Sequence, residues 1–184
     1  RMFEPDLGVN ISRLPFSATA ADAFRCRVPN ISTAVGVVAN DTFADDQPAL
    51  ANLGEGVTIC SLRRAATLMP EVLQRHYGTI VDINDTRNGD RAAVALNTLL
   101  AQDGVLVHIA RGVKADRTIQ LVQVLNAAVP TLAVRRLLIV LEAGAEASLL
   151  LCDHTAAGAA ASTISQVTEI YLGEDASLSL YTLE

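Results

Sequence analysis

Three metal-capable side chains stand side by side at one place in this 184-residue chain, Cys152-Asp153-His154. Thiolate, carboxylate and imidazole can all hold zinc or iron. A structural zinc site takes four ligands, however, and an iron-sulfur cluster is generally held by four thiolates. Successive residues of a strand point to opposite faces, so Cys152 and His154 share a side that Asp153 cannot join. Cys152 and His154 are therefore weak metal candidates, and a buried thiol beside a strand-end histidine is their simpler reading. His76 falls near a helix C-terminus, where an imidazolium interacts well with the last carbonyls. His108 alternates with Val107 and Ile109 and reads as an outward strand position. The paired carboxylates Asp45-Asp46 and Glu174-Asp175 sit in turns and read as solvated tips. The chain contains no Gly-x-Ser-x-Gly, no phosphate-binding Gly-rich loop with lysine and no Gly-x-Gly-x-x-Gly. These residues assign no catalytic, cofactor-binding or firm metal site.

The elements that must position these residues are more informative. Gly144 to Leu151 and Gly173 to Leu180 share the pattern Gly-x-x-Ala-Ser-Leu-x-Leu, each copy following a leucine- or isoleucine-containing run. A looser copy runs from Val105-Leu106-Val107-His108-Ile109 through Gly112 to Ile119-Gln120-Leu121-Val122. Gly112, Gly144 and Gly173 thus mark a repeat whose period falls in the range of solenoid proteins. Strand, Gly-turn, strand units at such a spacing are expected to stack as a parallel solenoid, because one unit cannot cover its own apolar face. The three glycines are expected at the corners. The strand pattern still runs at Glu184, which reads as a chain continuing into further coils. An uncovered coil end is expected to self-associate.

Residues 1–103 differ in character. Pro5, Pro15, Pro29 and Asn30 mark turns, and the runs Ala34–Ala39 and Val57–Cys60 are expected to pair in a small sheet. Ser61 is expected to cap a helix from Leu62, Pro70 to open a second helix ending at Gly78, and Asp85–Gly89 to form a turn. Asp90 then caps Arg91–Ala101, whose Ala92, Ala93, Leu96, Leu99 and Leu100 make an apolar face. The expectation is a small α+β domain over 1–103 followed over 104–184 by the first coils of a parallel β-helix, making a mainly β chain.

Composition narrows the function. Apolar content is 51%, with no Trp and only four Phe and three Tyr, which suits thin layers of small residues. No run approaches the ~20 apolar residues of a membrane-spanning helix. A net charge of -6 with scattered arginines disfavours nucleic acid. Cys26, Cys60 and Cys152, odd in number and widely spaced, read as buried thiols in a reducing cytoplasm. A carbohydrate-active β-helix enzyme would need carboxylates projecting from neighbouring coils, and the outward positions here include Ser165, Ser177 and Ser179.

Several stretches carry a more specific likeness. Phe3–Leu14, Val28–Thr33 and Val38–Phe43, then Ala95–Val105, Arg135–Ile139 and Gln166–Ile170, resemble in order the N-terminal part and first β-helix coils of the SufB/SufD family of iron-sulfur cluster assembly proteins, on its SufD side. The resemblance implies a non-catalytic, cytoplasmic scaffold subunit that partners SufB, through their β-helices, and the ATPase SufC. Iron or a cluster would enter only in the full complex, since the family's SufB-facing cysteine and histidine positions and its SufC-binding helices fall beyond residues 1–184.

Overall fold

The computed structural model describes residues 33–50, 52–80 and 91–183. In chain order they form β1 (Thr33–Ala39), β2 (Thr42–Phe43), a 3-10 turn (Pro48–Leu50), β3 (Val57–Ser61), helices α1 (Leu62–Leu68), α2 (Pro70–His76) and α3 (Arg91–Leu100), then β4 (Val105–Ile109), β5 (Thr118–Leu125), β6 (Leu132–Leu141), β7 (Glu146–Thr155), β8 (Thr163–Leu172) and β9 (Ser177–Leu183). The expected turns at Pro5, Pro15, Pro29 and Asn30, the turn at Asp85–Gly89, the Asp90 cap and Cys26 lie outside the described residues.

The fold is mainly β, in two open sheets ordered β2-β1-β5-β7-β9 and β3-β4-β6-β8. From β4 onward successive strands alternate between the sheets, and each pairs in parallel with the strand two places on. Val105 lies opposite Leu137, Ile119 opposite Leu149, Leu132 opposite Thr163 and Glu146 opposite Ser177. The chain therefore rises by one level every two strands. In β4 to β7 odd-numbered positions face inward: Val107, Ile109, Ile139 and Leu141 of one sheet meet Ile119, Leu121, Leu149 and Leu151 of the other in the main core. Even-numbered Leu106, Leu138 and Val140 face out and are covered by Leu62, Ala65 and Val72 of the first two helices. This double burial explains why β6 is buried at every position and shows no polar alternation.

The turn joining the sheets recurs with one geometry. The amides of Val113, Ala145 and Ala176 donate to the carbonyls of Ala110, Glu142 and Gly173 at 3.1, 3.0 and 3.1 Å. The third residue of each turn has positive φ: Gly112 at 68°, Gly144 at 71° and Asp175 at 56°. Gly173 thus holds the first place of its turn, not the left-handed one. A Cβ there would lie 2.5 Å from the Ala143 nitrogen, so its glycine is demanded by the close approach of the level before it. The strands pair in the same frame, Ala147 with Leu178 and Leu149 with Leu180, so the aligned motif is two places out of the structural register. A two-place slip keeps every side chain on its face, which is why the sequence pattern tolerates it.

Two local expectations are corrected. The runs at β1 and β3 do not pair with each other: β1 joins β5 in parallel, and β3 joins β4 antiparallel, in different sheets. Helix α3 docks by only part of its expected apolar face: Ala92 and Ala93 are exposed, while Leu96 and Leu100 are half-buried. Leu99 is 80% exposed, and the buried residue of the helix is Asn97, because the sheet surface beneath offers carbonyls and a hydroxyl. The caps form as read: Arg64 N donates to Ser61 Oγ at 3.0 Å, and Pro70 opens α2. No helix among the described residues is long and apolar enough to cross a membrane.

Candidate functional site

Both weak metal candidates lie on β7, on the outer face of the first sheet. Cys152 is fully buried with Val37, Val122, Val124 and Leu150, and Gln120 Nε2 approaches its sulfur at 3.4 Å. His154 is two places along the same face, beside Val124 of β5. Asp153 faces the interior instead and is committed to an arginine there. The strand parity anticipated from sequence therefore separates the three side chains. Among the described residues no three His, Cys, Asp or Glu side chains gather around a common point. Cys60 is also a buried thiol, its pKa pushed up to about 11 by burial and then by the nearby Asp45 carboxylate, which makes it a poor nucleophile.

The polar chemistry that the fold does concentrate lies on β6, at Arg135 and Arg136. Neighbours in sequence, they leave the strand in opposite directions. Arg135 points between the sheets, where its Nε donates to the Asn40 carbonyl and its Nη1 to Asp153 Oδ1, both at 2.6 Å. Gln123 donates to the other Asp153 oxygen at 3.2 Å, and Asn40, held at φ 57°, accepts from Asn126 N at 2.8 Å through its side chain. Burial pulls the Arg135 pKa down and Asp153 opposes it, so the ion pair is what keeps a charge tolerable at that depth. Arg135 also lines a cavity of about 10 Å³ with Asp41 and Gln123, the size of a single water.

Arg136 points outward under the helices. Its Nη2 donates to Glu169 Oε2 of β8 at 2.8 Å, its guanidinium lies 4.7 Å from the centre of the Tyr77 ring, and Gly78 N donates to the same glutamate oxygen at 3.1 Å. Asn97 completes the arrangement from α3, donating to Ser165 O and Oγ at 3.0 Å and to Arg135 O at 3.3 Å. One ion pair thus joins the end of α2 and two strands, and the asparagine beside it ties α3 to the same strands. Next to it the His76 ring packs on Tyr171 at 4.4 Å, Thr79 Oγ1 hydrogen-bonds the Tyr171 hydroxyl, and burial followed by Arg75 lowers the His76 pKa. His108 does lie on the outer face, but buried, with Nε2 3.2 Å from Glu142 Oε1. Asp45 is not a solvated tip: it accepts from Ser61 N at 2.6 Å and Ser61 Oγ at 2.7 Å.

Sequence reasoning missed the arginine networks, although it had a signal available. Two consecutive guanidinium groups inside the run Leu132–Leu141 have to be paired if that run is buried on both faces. What the arrangement does chemically is fix the positions of helices and strands.

A family model described as SufBD protein N-terminal region matches residues 1–121. No curated protein matches the chain.

Proposed function

The chain belongs to the SufB/SufD family, which places it in iron-sulfur cluster assembly, and from that premise we propose that it is a non-catalytic scaffold subunit of a SufB-SufC-SufD complex, on the SufD side. The observation that carries the reading is the pairing of chemistry and architecture around β6. Charged side chains are present in the interior, yet the inner and outer arginines are bound to Asp153 and Glu169 and serve position. Strands that alternate between two sheets and stack in parallel, level upon level, support a parallel β-helix whose regular coils start near residue 104. Such a stack is a stiff platform on which partner subunits and an ATPase can be held in register. In this reading the protein works in the cytoplasm, binds SufB and SufC, and meets iron or a cluster only in the assembled complex.

Two experiments test it. The full-length protein, co-expressed with SufB and SufC, is expected to purify as a stable complex with both; failure to associate with either overturns the scaffold reading. Protein corresponding to residues 1–184, purified without oxygen, is expected to carry no stoichiometric iron or zinc. A one-to-one metal content lost in a Cys152→Ala, His154→Ala double variant would make that pair a ligand set after all.

A further inference from the structure

Among the described residues strand β3 is the edge of its sheet, with β4 on one side only. In an antiparallel pair, alternate residues send both main-chain groups to the partner and the others send theirs away. Ala110 N donates to Gly56 O and Leu62 N to Gly104 O, which fixes Gly56, Thr58, Cys60 and Leu62 as the residues bonded towards β4. Val57, Ile59 and Ser61 therefore present their main chain to the free edge. Two of these three amides are already satisfied: Val57 N by the Gly54 carbonyl, and Ser61 N by Asp45 Oδ1 at 2.6 Å, a carboxylate standing where a neighbouring strand's carbonyl would be. The Ile59 N–H and C=O have no partner among the described residues.

The same segment closes the comparable gap on β1. There the Gln47 carboxamide pairs with Val37 in both senses, Oε1 accepting from Val37 N at 2.6 Å and Nε2 donating to Val37 O at 3.0 Å. Along β3, by contrast, the described residues leave a groove of about 390 Å³, lined by the strand and by residues of the 45–53 segment, with Leu50, Leu53 and Leu68 among its apolar walls and Asp45, Asp46 and Arg64 as its charged lining. An unpaired donor and acceptor at strand spacing, flanked by apolar walls, matches an added strand and not a compact ligand. Two carboxylates against one guanidinium give the lining a negative balance, and the Asp45 carboxylate adds to what raises the pKa of the neighbouring Cys60 thiol.

We propose that this groove is a docking site for an extended peptide segment of a partner protein, which adds to the free edge of β3 through Ile59 and places a lysine or arginine against Asp45 and Asp46. The site lies beyond the scaffold reading and does not depend on it. A blocked pentapeptide alternating valine and lysine is the probe, titrated against the whole chain while amide hydrogen exchange is followed by NMR. With a dissociation constant near ~0.1 mM, ~1 mM peptide is expected to slow exchange of the Ile59 amide about tenfold, with shifts confined to residues 45–61. Asp46→Lys, at an exposed position, is expected to keep the native amide spectrum and weaken binding about fivefold. An N-methylated version of the peptide is expected not to bind. Unchanged exchange at Ile59 overturns the proposal, as does equal binding by the N-methylated peptide, and equal binding by a valine-glutamate peptide overturns its assignment to a basic segment.

Discussion

The level built from β6 and β7 and the level built from β8 and β9 share a turn geometry and an inward-outward alternation, yet they are held in different ways. In the first, Ile139 and Leu149 are wholly inaccessible, with a paired strand on either side. In the second, the equivalent Leu180 is 37% exposed, and the only buried residue on either strand is Glu169. Apolar contact on both sides fixes the middle level. The β8–β9 level rests on the same core through Ile170, Ala176 and Leu178, which are only partly buried, and adds the Glu169 carboxylate reaching Arg136 beneath the helices. Within residues 33–183, then, the repeat specifies shape, while the packing of each level follows from the neighbours described for it.

The largest effect should come from the Arg136–Glu169 pair. Glu169→Ala leaves the Arg136 guanidinium buried without its counter-ion and is expected to cost about 4 kcal/mol in urea unfolding. Combining Arg136→Met with Glu169→Leu should recover most of that loss, because the desolvation of both charges disappears together. A single variant as mild as a surface substitution would mean the last level is held by something other than this pair.

Next comes the direct contrast between levels. Leu149→Ala, which opens a cavity in the fully packed interior, is expected to cost about 3 kcal/mol, and Leu180→Ala about 1 kcal/mol, since the latter side chain is already in part solvated. Equal losses would erase the distinction between the two levels. Effects below that of Leu149→Ala belong to the turns within each level, from β6 to β7 and from β8 to β9. Gly173→Ala forces a methyl against the Ala143 nitrogen and should cost about 2 kcal/mol, whereas Gly144→Ala meets no atom nearer than 3.7 Å and should lose only about 1 kcal/mol, from its left-handed backbone. The smallest perturbation needs no mutation. With its pKa raised from the usual 9.0 to about 11, Cys60 should react with a disulfide reagent at pH 8 about a hundredfold more slowly in the folded chain than after unfolding. Raising the pH towards 11 should narrow that gap.

Much of this architecture was legible from residues 104–183. Alternation of Val, Leu and Ile at period two, interrupted at equivalent places by Gly112 and Gly144, is a direct imprint of strands turning between two sheets. The exact register was not legible, because Asp175 takes the left-handed position that the motif assigns to Gly173, and a two-place slip leaves the hydrophobic pattern intact. Pairing of β1 with β5 sets Thr33 opposite Thr118, across all three helices, and nothing local in Ala34–Ala39 distinguishes so distant a partner from a nearby one. The α3 face failed for a related reason: helical periodicity ranks apolar residues, while the docking surface selected Asn97 for its amide. Of the candidate site residues, Cys152 and His154 do share a face, but the polar network that organises the molecule depends on Arg135 and Arg136 finding Asp153 and Glu169 on later strands.

The proposed scaffold role requires that the middle of the stack keep its shape when SufB, SufC and ATP are added. The most direct measurement is residue-resolved amide hydrogen exchange of the full-length protein, alone, then with SufB and SufC, then with ATP added. The account predicts that amides of β6 and β7 from Leu137 to Leu141 and from Leu149 to Cys152 remain the slowest in all three conditions and agree within about twofold. Acceleration of those amides by about tenfold or more on adding ATP would show that the middle of the stack opens during the cycle, and would contradict a passive scaffold.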